Sequence, residues 1–371
     1  MKVLFLANAN SVHTYKWVNG LLNKGIEVLL FSLSNPTKFS YNVEIQTLGL
    51  EEKIVKDLEG SPKKLKYIFS LPKIIKLTKN VDIVHCHYAS SYGLLGKISK
   101  AFSKNFKLFI SVWGSDVFSF PKKSFLHNIL IRWVFSSADC ITSTSSTMAK
   151  ETQKYTSKKI EVIPFGVDTK IFRPSEKDRK IMEKYGIKEN DLVVGTVRNL
   201  EPKYGIEYLI KAFKILITKN VEAKLVIVGE GSLKTKLLNL VKNLNLEDKV
   251  VFTGFIDNQD LWKIYNIFDV FVMPSVEESE SFGVSLVEAM ACSKACIATK
   301  VGGLPEVLEN YGILVEKQNE NQLAEAIEKL LLNPQLRLEL GQKAREKALR
   351  EYDFNKNLDS LIKLYKNCVG K

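Results

Sequence analysis

The 371 residues exceed one ordinary hydrophobic core, and an apolar content of 45% supplies enough material for two; no run of about 18 apolar residues is present to span a bilayer as a helix. Five scattered cysteines (Cys86, Cys140, Cys292, Cys296 and Cys368) argue against a disulfide framework and for a reducing compartment. The net charge of +13 is uneven: residues 1–168 carry 23 Lys and Arg against 12 Asp and Glu, the remainder 31 against 29, so the first half either meets an anionic partner or carries a solvated lysine surface.

Along the chain, Lys2–Asn8 reads as a buried first strand, since Asn8, Asn10 and His13 follow too soon for a signal peptide. Tyr15–Lys24 is predicted helical and Glu27–Ser32 is the next strand. Ser61–Asn80 interleaves lysines, including Lys63, Lys64 and Lys66, with Tyr67, Ile68, Phe69, Ile74 and Ile75, and holds no acid. Such a segment either lies on an anionic membrane surface or packs its apolar side on a sheet while its lysines face water. Phe118–Phe125 has the same character. Val81–His85 and Phe106–Val112 are predicted strands, and Phe125–Val134 a helix with Phe125, Leu126, Ile129, Leu130 and Trp133 at helical spacing. Cys140–Ser143 and Ile160–Ile163 follow as strands. Residues 163–174 break the rhythm and read as a linker.

The pattern then restarts. Strands are predicted at Leu192–Val197, Leu225–Val228, Val250–Thr253, Val270–Met273 and Ala295–Ala298. Helices are predicted at Ile206–Lys219, Leu233–Asn243, Leu261–Ile267, Val284–Ala291, Gln322–Leu332 and Pro334–Tyr352. Two successive doubly wound α/β domains are the economical reading. The division is 1–168, 169–353, and a C-terminal helix over 354–371 that packs back toward the first domain. Cys292 and Cys296 read as buried small residues rather than metal ligands.

The most informative stretch runs from Met273 to Ala291. A strand ends, an acidic loop follows, and a helix begins near Gly283. Helix N-terminal amides at the C-terminal edge of a parallel sheet bind phosphate. The carboxylates beside them make sense if some bind hydroxyl groups, as on ribose or a hexose. Glu280 in the loop and Glu288 on the helix are eight positions apart, so both can reach one ligand across the helix end, or else form an exposed acidic loop and a surface helix residue.

This segment resembles the E-x7-E signature of the retaining glycosyltransferases of family 4, which have the GT-B fold. The resemblance covers nearly the whole chain, in order: Phe165-Gly166-Val167-Asp168 with Phe172 and Pro174, Gly195 to Gly205, Val228-Gly229-Glu230-Gly231, Thr253-Gly254-Phe255, and Val301 to Val307. It implies two Rossmann-like domains facing across a cleft, with a nucleotide-diphosphate sugar bound mainly by the second and no cofactor. It implies that Glu288 holds the ribose and Glu280 the donor sugar. The backbone of Ser281, Phe282, Gly283 and Val284 then touches sugar and diphosphate, with Gly254 in a donor-side turn. Arg198 and Lys203 bind the diphosphate, where fixed cations stabilise the charge that develops on the leaving phosphate. No D-x-D carboxylate pair is present, so these cations replace a catalytic metal.

In the first half, Ser11 stands where many relatives have glycines against the donor phosphate. The segment from His13 to Trp17 resembles a family variant, and His13 either donates to an anion or packs locally. His85 and His87 suggest zinc by their spacing but have no third ligand in view. His87, nearer the loop after a parallel strand, is an acceptor-site candidate. Ser111 to Val117 resembles the family's His-Gly-x-Asp segment, with Trp113 in place of histidine. Trp113 is assigned to the acceptor side and Gly114 allows close backbone approach to the donor. Asp116 is the polar group available for catalysis, or a turn or cap.

The reading is a retaining, metal-independent glycosyltransferase acting on a glycan or lipid-linked acceptor in cell-surface polysaccharide or glycolipid synthesis. The expected partners are the nucleotide-sugar donor, the acceptor and an anionic membrane surface on the cytoplasmic side, without nucleic acid. The alternatives are a sugar-nucleotide epimerase or phosphorylase on the same fold, or a non-catalytic partner subunit. A nicotinamide dehydrogenase is disfavoured because neither half has G-x-G-x-x-G after its first strand.

Overall fold

The computed structural model of the chain describes residues 1–51 and 67–370. It divides into two compact units, one of Met1–Phe165 with Asn355–Lys371, the other of Gly166–Phe354.

The first unit is built on strands β1 (Lys2–Leu6), β2 (Glu27–Ser34), β3 (Ile45–Leu50), β4 (Ile83–His87), β5 (Lys107–Ser111), β6 (Cys140–Ser143) and β7 (Ile160–Val162). They form one parallel sheet in the order β3-β2-β1-β4-β5-β6-β7. β1 is a continuous apolar run after Lys2 because helices cover both faces of a parallel sheet; Val3, Leu4, Phe5 and Leu6 are all fully buried. The strand order reverses between β1 and β4, which opens a crevice at their carboxyl ends.

The second unit repeats the plan with β8 (Val193–Val197), β9 (Lys224–Val228), β10 (Val250–Gly254), β11 (Val270–Met273), β12 (Ala295–Thr299) and β13 (Ile313–Val315). Their order is β10-β9-β8-β11-β12-β13, all parallel, with the reversal between β8 and β11. The helix Ile206–Thr218 covers one face with Leu209, Ile210, Phe213 and Leu216 fully buried.

Three local expectations need correction. β4 ends on His87 rather than His85, so both histidines belong to the strand and both are buried. In the basic segment, residues 61–66, including Lys63, Lys64 and Lys66, lie outside the described residues. Of the apolar side chains in the rest, Tyr67, Leu71 and Ile74 pack into the core, and only Ile68 and Phe69 stand exposed. The helix Leu71–Thr78 spends its apolar side on the sheet, as an amphipathic helix of a globular protein does. The helix Phe125–Ser136 buries the side opposite to the predicted stripe: Ile131, Val134 and Phe135 face the core, while Phe125, Leu126, Ile129 and Trp133 are exposed.

Candidate active site

Arg198 follows β8 and the Glu277–Gly283 loop follows β11, the two strands that flank the reversal in the second unit. The sheet therefore brings together groups 82 residues apart: the Arg198 guanidinium forms an ion pair with Glu280. Its other terminal nitrogen is 3.4 Å from the Ser285 hydroxyl. The guanidinium carbon lies 3.9 Å from the centre of the Tyr204 ring, and the Lys203 ammonium 4.9 Å from the same centre. Two cations thus meet one aromatic ring, and a planar guanidinium stacks on it better than a flexible ammonium. Among the described residues Arg198 Nε is buried with no hydrogen-bond partner, so the site holds a donor still to be satisfied.

The helix Val284–Ala291 starts here. Gly283 caps it with φ +76°, and a Cβ at that position would lie 2.5 Å from Leu304 Cδ2, so glycine is required both for its conformation and for its space. Among the described residues the first-turn amides of Val284 and Ser285 meet no carbonyl, as at any helix start, and they present positive dipole ends. Phe282 turns inward and is buried, its ring 5.3 Å from Tyr352. Only the backbone of Phe282 is therefore presented at the helix start. The remaining carboxylates divide by role. Glu278 accepts from Gly302 N at 2.9 Å and pairs with Lys317, tying two loops together, and these bonds hold its pKa below the usual carboxylate value. Glu288 is buried, and the Tyr265 hydroxyl donates to it at 2.8 Å. Burial, followed by the neighbouring Glu288 charge, raises the Tyr265 pKa far above the ordinary tyrosine value, so Tyr265 remains a donor at any working pH. Gly254 ends β10, and its carbonyl accepts from Gly229 N at 2.9 Å, which links that turn to the Arg198 loop.

The first unit gathers an aromatic cluster at its own strand reversal. His13 stacks on Phe165 at 3.9 Å, Trp113 lies 4.4 Å from His87 and 5.1 Å from Phe165, and Thr14 Oγ1 is 3.4 Å from His87 Nδ1. Burial lowers the His13 pKa to about 3, with Lys16 adding to the shift, and His87 is lowered well below its usual value by burial first. His13 is therefore held neutral while it stacks on Phe165. Both ring nitrogens of His85 are engaged, Nδ1 by the Tyr365 hydroxyl at 2.5 Å and Nε2 by Ser111 Oγ at 2.6 Å, which leaves neither for a metal. Among the described residues no cluster of three His, Cys, Asp or Glu could hold one.

Asp116 is tied into its own loop. Its carboxylate is buried and accepts from the backbone amides of Ala89 (2.9 Å), Trp113 (3.1 Å) and Gly114 (2.9 Å). Both oxygens hold the loop together, as the turn alternative expects. Gly114, at φ +138°, belongs to the same knot. Ser11 begins the helix Val12–Asn23 without a side-chain capping bond. Beside it, Asn10 carries the loop, accepting from Thr37 N at 2.7 Å and donating to Asn35 O at 2.9 Å. Sequence reasoning passed over Tyr204, Ser285, Tyr265 and Asn10. Tyr204 and Ser285 carried a usable signal, since Tyr204 lies within the segment from Gly195 to Gly205 and Ser285 in the first turn of the helix that Gly283 caps.

Two doubly wound parallel units, the second ending in an Arg-bearing, carboxylate-lined helix start, define a protein of the GT-B fold. Residues 177–347 match the family model described as glycosyl transferases group 1, and residues 2–145 match glycosyl transferase 4-like. The N-acetyl-alpha-D-glucosaminyl L-malate synthase of Bacillus anthracis is 30% identical over 292 residues, covering 77% of this chain and 75% of that protein. An Escherichia coli UDP-Gal:alpha-D-GlcNAc-diphosphoundecaprenol alpha-1,3-galactosyltransferase is 28% identical, covering 83% and 80%. The crystal structure of Anabaena HepE in complex with UDP superposes with a TM-score of 0.83 over 99% of this chain and all of that one, at 18% identity. The chain belongs to the group 1 glycosyltransferases, enzymes that use nucleotide sugars.

Proposed function

We propose that the protein is a retaining glycosyltransferase that takes a hexosyl group from a nucleoside-diphosphate sugar without a divalent metal. It passes the sugar to a glycan or lipid-linked acceptor at the cytoplasmic face of a membrane. The observation that carries this reading is the Arg198–Glu280 pair set against Tyr204 and the start of the helix Val284–Ala291. As the bond between sugar and diphosphate breaks, negative charge builds on phosphate oxygen. Arg198, Lys203 and the first-turn amides meet that charge where it forms. An arriving diphosphate competes with Glu280 for the guanidinium, which frees Glu280 to accept from sugar hydroxyls. Glu288, held by Tyr265, accepts from the ribose. His87 and Trp113 are assigned to the acceptor. The lipid-linked acceptor is supported by relatives whose names specify diphosphoundecaprenol-linked sugars.

The test is a panel of nucleotide sugars read by nucleoside-diphosphate release, with L-malate, a soluble glycan and a diphosphoundecaprenol-linked sugar as acceptors. One donor should turn over at full rate in excess chelator, and the product should keep the anomeric configuration of the donor. Loss of activity in chelator with rescue by a divalent ion removes the metal-free mechanism. Release of an epimer or a sugar phosphate removes the transferase reading.

Glu288→Gln keeps the shape of the side chain and removes its charge. Nucleoside-diphosphate affinity measured by calorimetry should fall about tenfold or more, the range for a lost charge-assisted hydrogen bond. Unchanged affinity would take the ribose away from Glu288.

A further inference from the structure

The helix Phe125–Ser136 shows the solvent a face that a globular helix normally buries. Phe125 is 79% exposed, Leu126 74%, Ile129 46% and Trp133 45%. Their spacing places all four on one side, and the helix is already seated on the sheet by Ile131, Val134 and Phe135 on the other. The charge around them has one sign. Between Asp116 and Asp139 there is no acidic residue, while Lys122, Lys123 and Arg132 all fall in that stretch. From the neighbouring helix Gly93–Phe102, the Lys97 ammonium lies 4.9 Å over the Trp133 ring. Among the described residues, the carboxylate paired with the stretch is Glu151, which is neutralised by Lys122 at 3.0 Å and by Lys154.

We infer that this face is a membrane-docking surface that inserts Phe125, Leu126 and Trp133 at the headgroup level of an anionic bilayer. Aromatic and aliphatic side chains ringed by lysines and an arginine match the apolar interior and negative surface that such a bilayer offers together. A second copy of this chain fits less well, because a twofold contact would set these cations against one another with no acid to answer them. The surface differs from the basic segment first suspected, whose apolar residues Tyr67 and Ile74 the core consumes. The inference rests on the proposed function only for the reason such a surface is useful, namely delivery of a lipid-linked acceptor. The docking itself needs no sugar.

The experiment is sedimentation of the full chain with vesicles of phosphatidylcholine alone or mixed equally with phosphatidylglycerol, at low and high salt. Binding is expected on the anionic vesicles, weaker on the neutral ones, and weaker again as salt rises. The Trp133 emission should shift to the blue on binding. The double variant Phe125→Ser, Leu126→Ser should bind at least tenfold more weakly, since each exposed apolar chain is worth about tenfold or more on insertion. It should still release nucleoside diphosphate at the wild-type rate with a soluble acceptor, which shows that it is folded. Lys123→Glu should weaken binding without touching the core. No sedimentation with anionic vesicles, or equal sedimentation of the double variant, overturns the proposal. So does a concentration-dependent dimer, seen by analytical ultracentrifugation, that the same double variant dissociates. Vesicle binding without any sugar transfer would leave the surface standing and remove the proposed function instead.

Discussion

Replacing Arg198 by alanine is expected to lower kcat by about 10²- to 10³-fold, the usual effect of deleting one preorganised group that stabilises developing negative charge. The guanidinium is held from three directions: by the Glu280 carboxylate, by the Ser285 hydroxyl at 3.4 Å, and by the Tyr204 ring at 3.9 Å. Little reorganisation is then needed when a diphosphate arrives, and the side chain acts where the charge grows. Arg198→Lys should recover only part of the loss, because an ammonium neither spreads its charge over the Tyr204 face nor bridges two oxygens in a fork. Single-turnover kinetics check the effect on the chemical step, with circular dichroism as the control for folding. A kcat within threefold of the wild type would remove Arg198 from the reaction. A smaller drop is expected for Lys203→Ala, since Lys203 is exposed and more of its charge is screened by water.

Acidification is expected to unfold the first unit early. Burial lowers the His85 pKa to about 3, and His87 lies well below its ordinary value for the same reason first. In the unfolded chain both return to about 6.5. Between these limits the unfolded state binds protons that the folded state refuses, so stability falls as pH drops below about 6.5 and is fully present above it. At pH 5, His85 alone should cost about 2 kcal/mol relative to pH 7.5, and His87 adds in the same direction. Neither ring can be protonated without breaking its setting. His85 is fixed by the Tyr365 hydroxyl and Ser111, and His87 sits 5.0 Å from the Phe5 ring and 4.4 Å from Trp113. Urea unfolding at pH 7.5, 6 and 5, followed by tryptophan emission, measures the effect, since Trp17, Trp113 and Trp133 all belong to the first unit. His87→Phe keeps a ring in place and should flatten the pH dependence. An unchanged urea midpoint from pH 7.5 to 5 would mean that these histidines are not held neutral.

The sequence by itself determined most of the strands, but not β3 (Ile45–Leu50), β13 (Ile313–Val315) or the end of β4. A parallel strand covered on both faces reads as a continuous apolar run, so Val270–Met273 was legible to the residue, as were Cys140–Ser143 and the helices Leu261–Ile267 and Val284–Ala291. So was the chemistry at those ends, because an acidic loop that opens into a helix at Gly283 is a local feature. What only the tertiary structure decided is which distant groups meet and which way a stripe faces. Arg198 and Glu280 become a pair because β8 and β11 are neighbours in the sheet, a fact of pairing and not of spacing. Tyr265 reaches Glu288 because the helices Leu261–Ile267 and Val284–Ala291 pack together. Asp116 has the same composition around it whether or not its carboxylate is tied down, and only the tertiary structure brings three amides to converge on it. The helix Phe125–Ser136 carries apolar residues on two sides, so periodicity alone could not say which one faces the core. The sheet took Ile131, Val134 and Phe135, and the stripe from Phe125 to Trp133 was left to solvent.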